Sequence, residues 1–155
     1  MFNEAPTQSP LRSLIIKPQL TVIDAGSIYA EIIRNLANMT YENHPLYIAM
    51  RSDSEPYVRP ALTAAIQDSI MQNLDDLSAD IVWVGLSKEV LWENGQIKGG
   101  GSQIFFGSIE VIGATQVQVV AGIYYGNVGA NGGTFIIEKY NDQWDVTGVS
   151  NMWVS

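Results

Sequence analysis

Apolar and polar side chains alternate through about forty C-terminal residues in the pattern that is typical of β-strands. The alternation runs over residues 115–125, resumes over 134–140 and ends with 143–153. A glycine-rich stretch, 126–133, separates the first two runs, and the pair Asn141-Asp142 separates the last two. Both compositions favour turns. The pattern therefore predicts a meander of three antiparallel strands.

The first half of the chain shows helical spacing instead. Apolar residues recur every three or four positions between 28 and 39, which predicts a first helix over about 24–41. Asp24 or Ser27 is expected to cap its N-terminus. The stretch 52–77 opens with serine, acidic residues and proline, which together mark a helix start, and then keeps a helical period. It predicts a second helix that ends near residue 77.

Further strands are predicted over 80–86, 89–93, 96–98 and 103–112. Asn94 and Gly95 supply the positive-φ residues that a two-residue hairpin turn needs. The apolar run 46–50 is compatible with a strand or with a continued helix, and 14–16 is compatible with a short edge strand.

Helices first and strands afterwards predict the α+β class, with two N-terminal helices packed on a curved antiparallel sheet of about five or six strands. Gly107, Gly113 and Gly122 lie where the sheet would have to bend around a helix. Residues 1–10 are polar and contain proline, which predicts a flexible tail. Residues 11–155 are long enough to form a single domain with its own core.

Composition excludes several classes of function. The net charge is −8, and the 8 Lys and Arg residues are scattered singly, so no basic stripe exists for nucleic acid. The chain has no cysteine, which excludes disulfides and thiolate zinc sites. No apolar run approaches the length of a membrane span, and no signal peptide is visible. We expect an exported or periplasmic protein if a leader was removed, and a cytoplasmic one otherwise.

No catalytic or metal-binding signature is present. His44 is the single histidine, so a two-histidine metal site is excluded. Asp75, Asp76 and Asp80 match only fragments of a calcium loop and are typical of a solvated helix end. The loop 126–133 continues into a strand, whereas a phosphate-binding loop opens a helix. We therefore predict no metal and no cofactor, and a non-catalytic protein rather than an enzyme.

The aromatic residues are the most suggestive group, because aromatic rings on a sheet face can stack on a sugar or line an apolar pocket. The alternative is that the tryptophans fill a small core. The candidate pocket residues are Trp83, Trp92, Tyr124, Tyr125, Asp80 and Arg59.

The stretch from Gly133 to Val146, followed by Met152-Trp153-Val154-Ser155, resembles the last hairpin of many small bacterial α+β proteins. It is also similar to the closing strands of NTF2-like and cystatin-like folds, in which helices precede a curved antiparallel sheet. The resemblance implies a pocket between helix and sheet. No catalytic residue set of NTF2-like enzymes matches this chain, and the strands predicted over 80–98 depart from that topology.

Three functions stay open at this stage. The leading one is a non-catalytic binding or interaction module, with a pocket between helix and sheet for a small molecule or a contact with another protein. The second is an NTF2-like enzyme, of isomerase, dehydratase or hydrolase type, that uses a buried acid or a tyrosine as base. The third is an acidic inhibitor or immunity-type protein. A homodimer formed through the sheet is compatible with all three.

Overall fold

The structure, a computed structural model, describes residues 20–38, 44–51, 62–77, 80–86, 92–94, 96–125 and 129–155. The predicted tail, the segment 14–16, the start of the second predicted helix and Arg59 lie outside these residues. The helices are α1 (Val22–Ala37) and α2 (Ala64–Asn73). The strands are β1 (Pro45–Arg51), β2 (Asp80–Leu86), β3 (Trp92–Glu93), β4 (Gln96–Ile97), β5 (Ser102–Phe106), β6 (Glu110–Gly113), β7 (Gln116–Tyr124), β8 (Ala130–Tyr140) and β9 (Gln143–Val154).

The first helix begins two residues before the prediction because Thr21, not Asp24 or Ser27, is its N-cap. The Thr21 hydroxyl accepts a hydrogen bond from the Asp24 backbone N–H at 3.0 Å, and the Asp24 carboxylate accepts one from the Thr21 backbone N–H at 3.4 Å. This reciprocal capping box satisfies two donors of the first turn. The helix ends at Ala37, with Asn38 as its C-cap.

The second helix is shorter than the periodicity predicts. Leu62 and Thr63 are not helical, and the Thr63 hydroxyl caps the helix by accepting the Ile66 N–H at 3.3 Å. The helix ends at Asn73, since Leu74 has φ −115° and ψ 19° and takes the chain into a turn. The apolar periodicity up to residue 77 therefore spans a helix and the turn that follows it, not one continuous helix.

The sheet has the order β2-β1-β5-β7-β8-β9, with β6 also paired to β7. The predicted antiparallel meander is confirmed for β7, β8 and β9. The prediction of a wholly antiparallel sheet is wrong, because β1 pairs in parallel with both β2 and β5. The described part of the fold is thus α+β with a mixed, open sheet.

The parallel pairing has a topological cause. Residues 46–50 form a strand, β1, rather than a continuation of the helix, and α2 connects β1 to β2. A helical crossover carries the chain back to the end of the sheet from which it started, so the second strand runs in the same direction as the first.

The strand predicted over 103–112 is two strands. The chain leaves the ladder over 107–109 and rejoins it, with the Gly107 N–H bonded to the Val120 carbonyl at 2.7 Å. β5 pairs with the second half of β7 and β6 with the first half. Gly107 therefore marks a break in the strand, as the sheet-bend prediction suggested. The predicted hairpin at Asn94 is confirmed, since β3 and β4 pair and Asn94 has φ 53°.

Helix α1 packs its apolar stripe on one face of the sheet, and this contact forms the core. The α1 side chains in it and their partners from β1, β5, β7 and β8 are almost fully buried: Ile28, Ile32, Ile33, Leu36, Leu46, Ile48, Ile104, Phe106, Val117, Val119, Ile123, Phe135 and Ile137. Burial of each such side chain stabilises the fold by about 1.5–3 kcal/mol before entropy is counted. The tight packing fixes which face of α1 points away from the sheet.

Asp24 also joins the start of α1 to the β8–β9 hairpin. Its carboxylate accepts a hydrogen bond from the buried Trp144 indole N–H at 3.0 Å and lies 3.7 Å from the Lys139 ammonium group. The Trp144 bond, then the Thr21 bonds and the charge of Lys139, hold the pKa of Asp24 below its usual range despite its partial burial.

We predict that Asp24→Ala lowers the free energy of unfolding by about 1–3 kcal/mol, because it removes half of the capping box and leaves a buried indole N–H without an acceptor. Urea denaturation followed by tryptophan fluorescence measures the change. Asp68→Ala, at an exposed position of α2, is the matched control and is expected to change little. Equal effects of the two substitutions would contradict this role of Asp24.

Gly26 lets α1 pack closely against α2. A Cβ at this position would lie 2.0 Å from the Ser69 Oγ and 2.4 Å from its Cβ. Replacing glycine by alanine inside a helix ordinarily stabilises it by about 1 kcal/mol. Here we expect Gly26→Ala to destabilise the protein, because overpacking costs about 1–3 kcal/mol. Thermal unfolding measures this, and the second substitution Ser69→Gly is expected to restore part of the loss. A stabilised Gly26→Ala variant would refute the close contact.

Candidate functional site

A polar cavity of about 530 Å³ lies between the outer side of α1, the end of α2 and the β8–β9 turn. Ser27, Glu31 and Arg34 line it from α1, three and four residues apart and hence on one side of the helix. The other lining residues are Asn73, Asp142, Gln143, Trp144 and Asp145. The cavity thus joins a helix to a strand turn more than a hundred residues away in the chain.

Arg34 is the cation of the cavity, and its guanidinium is held by several acceptors. It donates to the Glu31 carboxylate, to the Asp76 carboxylate at 2.9 Å and to the Asn73 backbone carbonyl. These bonds tie the end of α2 to α1 and fix the guanidinium in place. Because two carboxylates already offset its charge, Arg34 contributes little net positive potential to the cavity.

Glu31 is one of the three acids that line the cavity. Its side chain is only 20% exposed, and burial raises the pKa of this carboxyl above its ordinary value. Arg34 opposes the rise, whereas Asp145 and then Asp76 add to it through like-charge repulsion. Although Arg34 already pairs with it, a carboxyl in these surroundings favours a proton or a second positive charge beside it.

Trp144 lines the cavity with its ring and has no hydrogen-bond donor left for a ligand. Its indole N–H is already bonded to Asp24, and the residue is 4% exposed. The Lys139 ammonium lies 5.7 Å from the centre of its ring, within the range of a cation–π contact. The ring thus stays fixed between the capping box and the cavity.

Three of the six residues proposed from the sequence lie on different parts of the sheet. Trp83 in β2 and Tyr125 after β7 both pack against the core on the α1 side, with β1 and β5 between their strands. The Tyr125 hydroxyl accepts a hydrogen bond from the Asn131 amide at 2.8 Å. Tyr124 follows the opposite alternation, is 38% exposed, and stacks near Phe105 instead.

The structure describes the other three only in part. Asp80 begins β2 and is exposed. Trp92 lies in the short strand β3, and its side chain is not among those described. Arg59 lies outside the described residues. Of the proposed residues whose side chains the structure describes (Trp83, Tyr124, Tyr125 and Asp80), none lines the polar cavity.

A second aromatic feature lies on the sheet face opposite α1. The Phe105 ring centre is 5.1 Å from that of Tyr124 and 6.1 Å from that of Trp153, the latter pair stacked with an interplanar angle of 20°. Phe105 lies flat on β7 because Gly122 has no side chain: a Cβ there would be 2.5 Å from the Phe105 ring. This strip explains why Gly122 is needed within a strand.

The residues of the polar cavity escaped the sequence analysis. Glu31 and Arg34 are an i, i+3 pair of opposite charge on the polar side of the first predicted helix, a spacing typical of a surface ion pair. Nothing in the sequence indicated that Asp145 would lie near them. Asp76 was interpreted as part of a solvated helix end; its side chain is 65% exposed, but it also pairs with Arg34.

No metal site and no membrane helix are found within the described residues. No group of three or more histidine, aspartate or glutamate side chains there is arranged to hold a metal ion. None of the helices in that part of the chain has the length and apolar character that crossing a membrane requires. Comparison with models of protein families, with curated proteins and with solved structures finds no match to this chain.

We predict that the pKa of Glu31 responds in opposite directions to two substitutions. Arg34→Met should raise it further by removing the cation, and Asp145→Asn should lower it by removing a like charge. Carboxyl titration by NMR measures both, with Asp68→Asn as the control that leaves it unchanged.

The raised pKa has a consequence for stability. The contribution of Glu31 to folding is complete below the pKa of a free glutamate and is lost as the pH rises through the folded-state value. If Arg34→Met and Asp145→Asn both moved the pKa of Glu31 in the same direction, this electrostatic account would be contradicted.

Proposed function

We propose that the protein is a non-catalytic binding module and that the cavity between α1 and the β8–β9 turn is its binding site, for a small molecule or side chain that carries a positive charge. The observation that carries the proposal is the partly buried carboxyl of Glu31, whose pKa burial raises, on the wall of a preformed cavity. A cation placed there would replace the water that the carboxylate has lost and would relieve its repulsion from Asp145.

The charge of the lining supports a cationic ligand. Glu31, Asp142 and Asp145 face one guanidinium, that of Arg34, which is also shared with Asp76. The whole chain adds a net charge of −8, which raises the local concentration of cations and slows the approach of anions. An ammonium or guanidinium group is therefore the chemistry that this cavity favours.

The size of the cavity supports a small ligand or a single long side chain. A volume of about 530 Å³ lies inside the range of roughly 300–1,000 Å³ that is common for small-molecule sites. Trp144 offers an apolar wall for the carbon chain of such a ligand, while the carboxylates hold its charged end. An alkylammonium matches this division into an apolar and a charged part.

Three probes of equal size and different charge test the proposal: n-butylammonium, n-butanol and butyrate. We expect only the ammonium compound to shift the amide NMR signals of Ser27, Glu31 and Asp145. Glu31→Gln should weaken its binding by about tenfold, the equivalent of one charge-assisted hydrogen bond. Added salt should weaken it as well.

Asp68→Asn serves as the control because it removes an acid of the same chain from an exposed helix position, away from the cavity lining. Binding of all three probes alike, or equal losses in the Glu31 and Asp68 variants, would refute a charge-selective site. Binding of a lysine-rich peptide but of none of the small probes would favour the third hypothesis, an acidic inhibitor of a basic protein.

The same carboxyl favours one second candidate, acid–base catalysis of the NTF2-like type. The pKa of this glutamate is shifted upward beside a cavity, which is the direction that a glutamate acting as general acid or base requires. In an enzyme, Glu31→Gln would abolish turnover while ligand affinity survived. In a binding module, affinity falls and there is no turnover to lose.

The grouping with NTF2-like or cystatin-like folds stays a prediction. It is supported by a helix that packs across a sheet ending in an antiparallel hairpin. The parallel pair of β1 and β2 is a feature that the resemblance did not imply.

A further inference from the structure

We propose that the β2 edge of the sheet is a dimer interface, at which β2 pairs antiparallel with β2 of a second copy of this chain and makes one continuous sheet. Within the part of the chain that the structure describes, no strand pairs with the outer edge of β2. This interface is separate from the polar cavity and does not depend on the proposed function.

The outer edge of β2 has the features that sheet edges in monomers usually avoid. Residues 81–86 are Ile, Val, Trp, Val, Gly and Leu, without charge or proline, and the strand keeps an unbroken register with β1. Ile81, Val82, Trp83 and Val84 are all only partly buried. Free edges in monomers are instead blunted by lysine, proline, bulges or short strands, because an unpaired edge is a template for another strand.

The other edge of the sheet shows such protection. β9 is the outer strand there, and its register with β8 shifts at two places, opposite Gly132–Thr134 and Ile136–Ile137. Asn151 adds a positive φ of 50°. Bulges of this kind twist an edge and interrupt its row of hydrogen-bonding groups. Among the strands that the structure describes, the contrast identifies β2 as the edge that is open to pairing.

The sequence of β2 is its own complement, which favours a second copy over an unrelated strand. In an antiparallel pair centred on Trp83, each Val82 lies opposite Val84 of the other copy on one face of the sheet. On the other face Trp83 lies opposite Trp83, and Ile81 lies opposite Gly85, which leaves room for the indole rings. A two-fold axis through Trp83 thus matches valine with valine and places the two indole rings beside Gly85.

Charge also permits this pairing between two acidic chains. Asp80 is the single charged residue of β2. The two-fold axis places the two Asp80 residues at opposite ends of the paired strands, about 20 Å apart at the usual rise per residue. This separation exceeds the screening length of about 8 Å in physiological salt. The contact therefore brings the two copies together without setting charge against like charge.

The absence of cysteine from the chain allows a test of the register. Val82→Cys and Val84→Cys proteins are mixed and oxidised, and covalent dimers are read on a non-reducing gel. Directly opposite residues have Cα atoms about 4.5–5.5 Å apart, within disulfide range. Two copies of the same variant would place their cysteines about 7–8 Å apart on a diagonal, too far for a bond. We expect a covalent dimer in the mixture and none in either variant alone.

A charge substitution provides the second measurement. We expect light scattering to give twice the monomer mass for the unmodified chain. The Val84→Glu variant should give the mass of a single chain. Val120→Glu is the matched control, since Val120 is a 51% exposed valine on the same face of an interior strand. It should leave the dimer intact. A monomeric unmodified chain, or equal cross-linking in the mixture and in the separate variants, would overturn the proposal.

A monomeric chain whose unfolding temperature falls on Val84→Glu would show instead that a segment of the same chain covers this edge. A monomer that captures an added β-strand peptide only with valine at position 84 would assign the edge to a heterologous partner. Either result refutes a second copy as the occupant.

Discussion

The carboxylate of Asp24 accepts hydrogen bonds from nearby Thr21 and from Trp144, which lies 120 residues further along the chain. One of its oxygens completes the capping box with Thr21, and the other receives the Trp144 indole N–H. The first contact fixes where α1 begins, and the second fixes where that helix end meets the β8–β9 hairpin. A shift of α1 by one residue would turn its side chains by about 100° and remove both contacts together.

The candidate site follows from this constraint. Once the start of α1 is fixed and its apolar stripe is buried against β7 and β8, Ser27, Glu31 and Arg34 must point toward the β8–β9 turn. Arg34 then reaches the end of α2 and closes the cavity from that side. The carboxyl of Glu31 is desolvated by this arrangement, so its raised pKa is a consequence of helix placement rather than of its sequence neighbours.

Local sequence patterns predict the strand pairing in one half of the sheet but not in the other. The meander β7–β9 joins neighbours in sequence by short turns, so alternation and turn residues are enough to predict pairing and direction. β1, β2 and β5 pair across long connections, and no local pattern records which strand lies beside which. The parallel direction of β1 and β2 depends on the crossover through α2, whereas the sequence pattern predicts that this helix precedes the whole sheet.

The amino-acid sequence by itself determined the α+β class, the existence of both helices, the bounds of β2 and the closing meander, because these depend on periodicity and on turn residues close in the chain. It also determined the acidic charge and the lack of cysteine chemistry. Only the tertiary structure decided the mixed sheet and the meeting of Glu31 and Arg34 with Asp145. These features depend on contacts between distant residues. Taken singly, Glu31, Arg34 and Asp145 are side chains typical of a solvated surface.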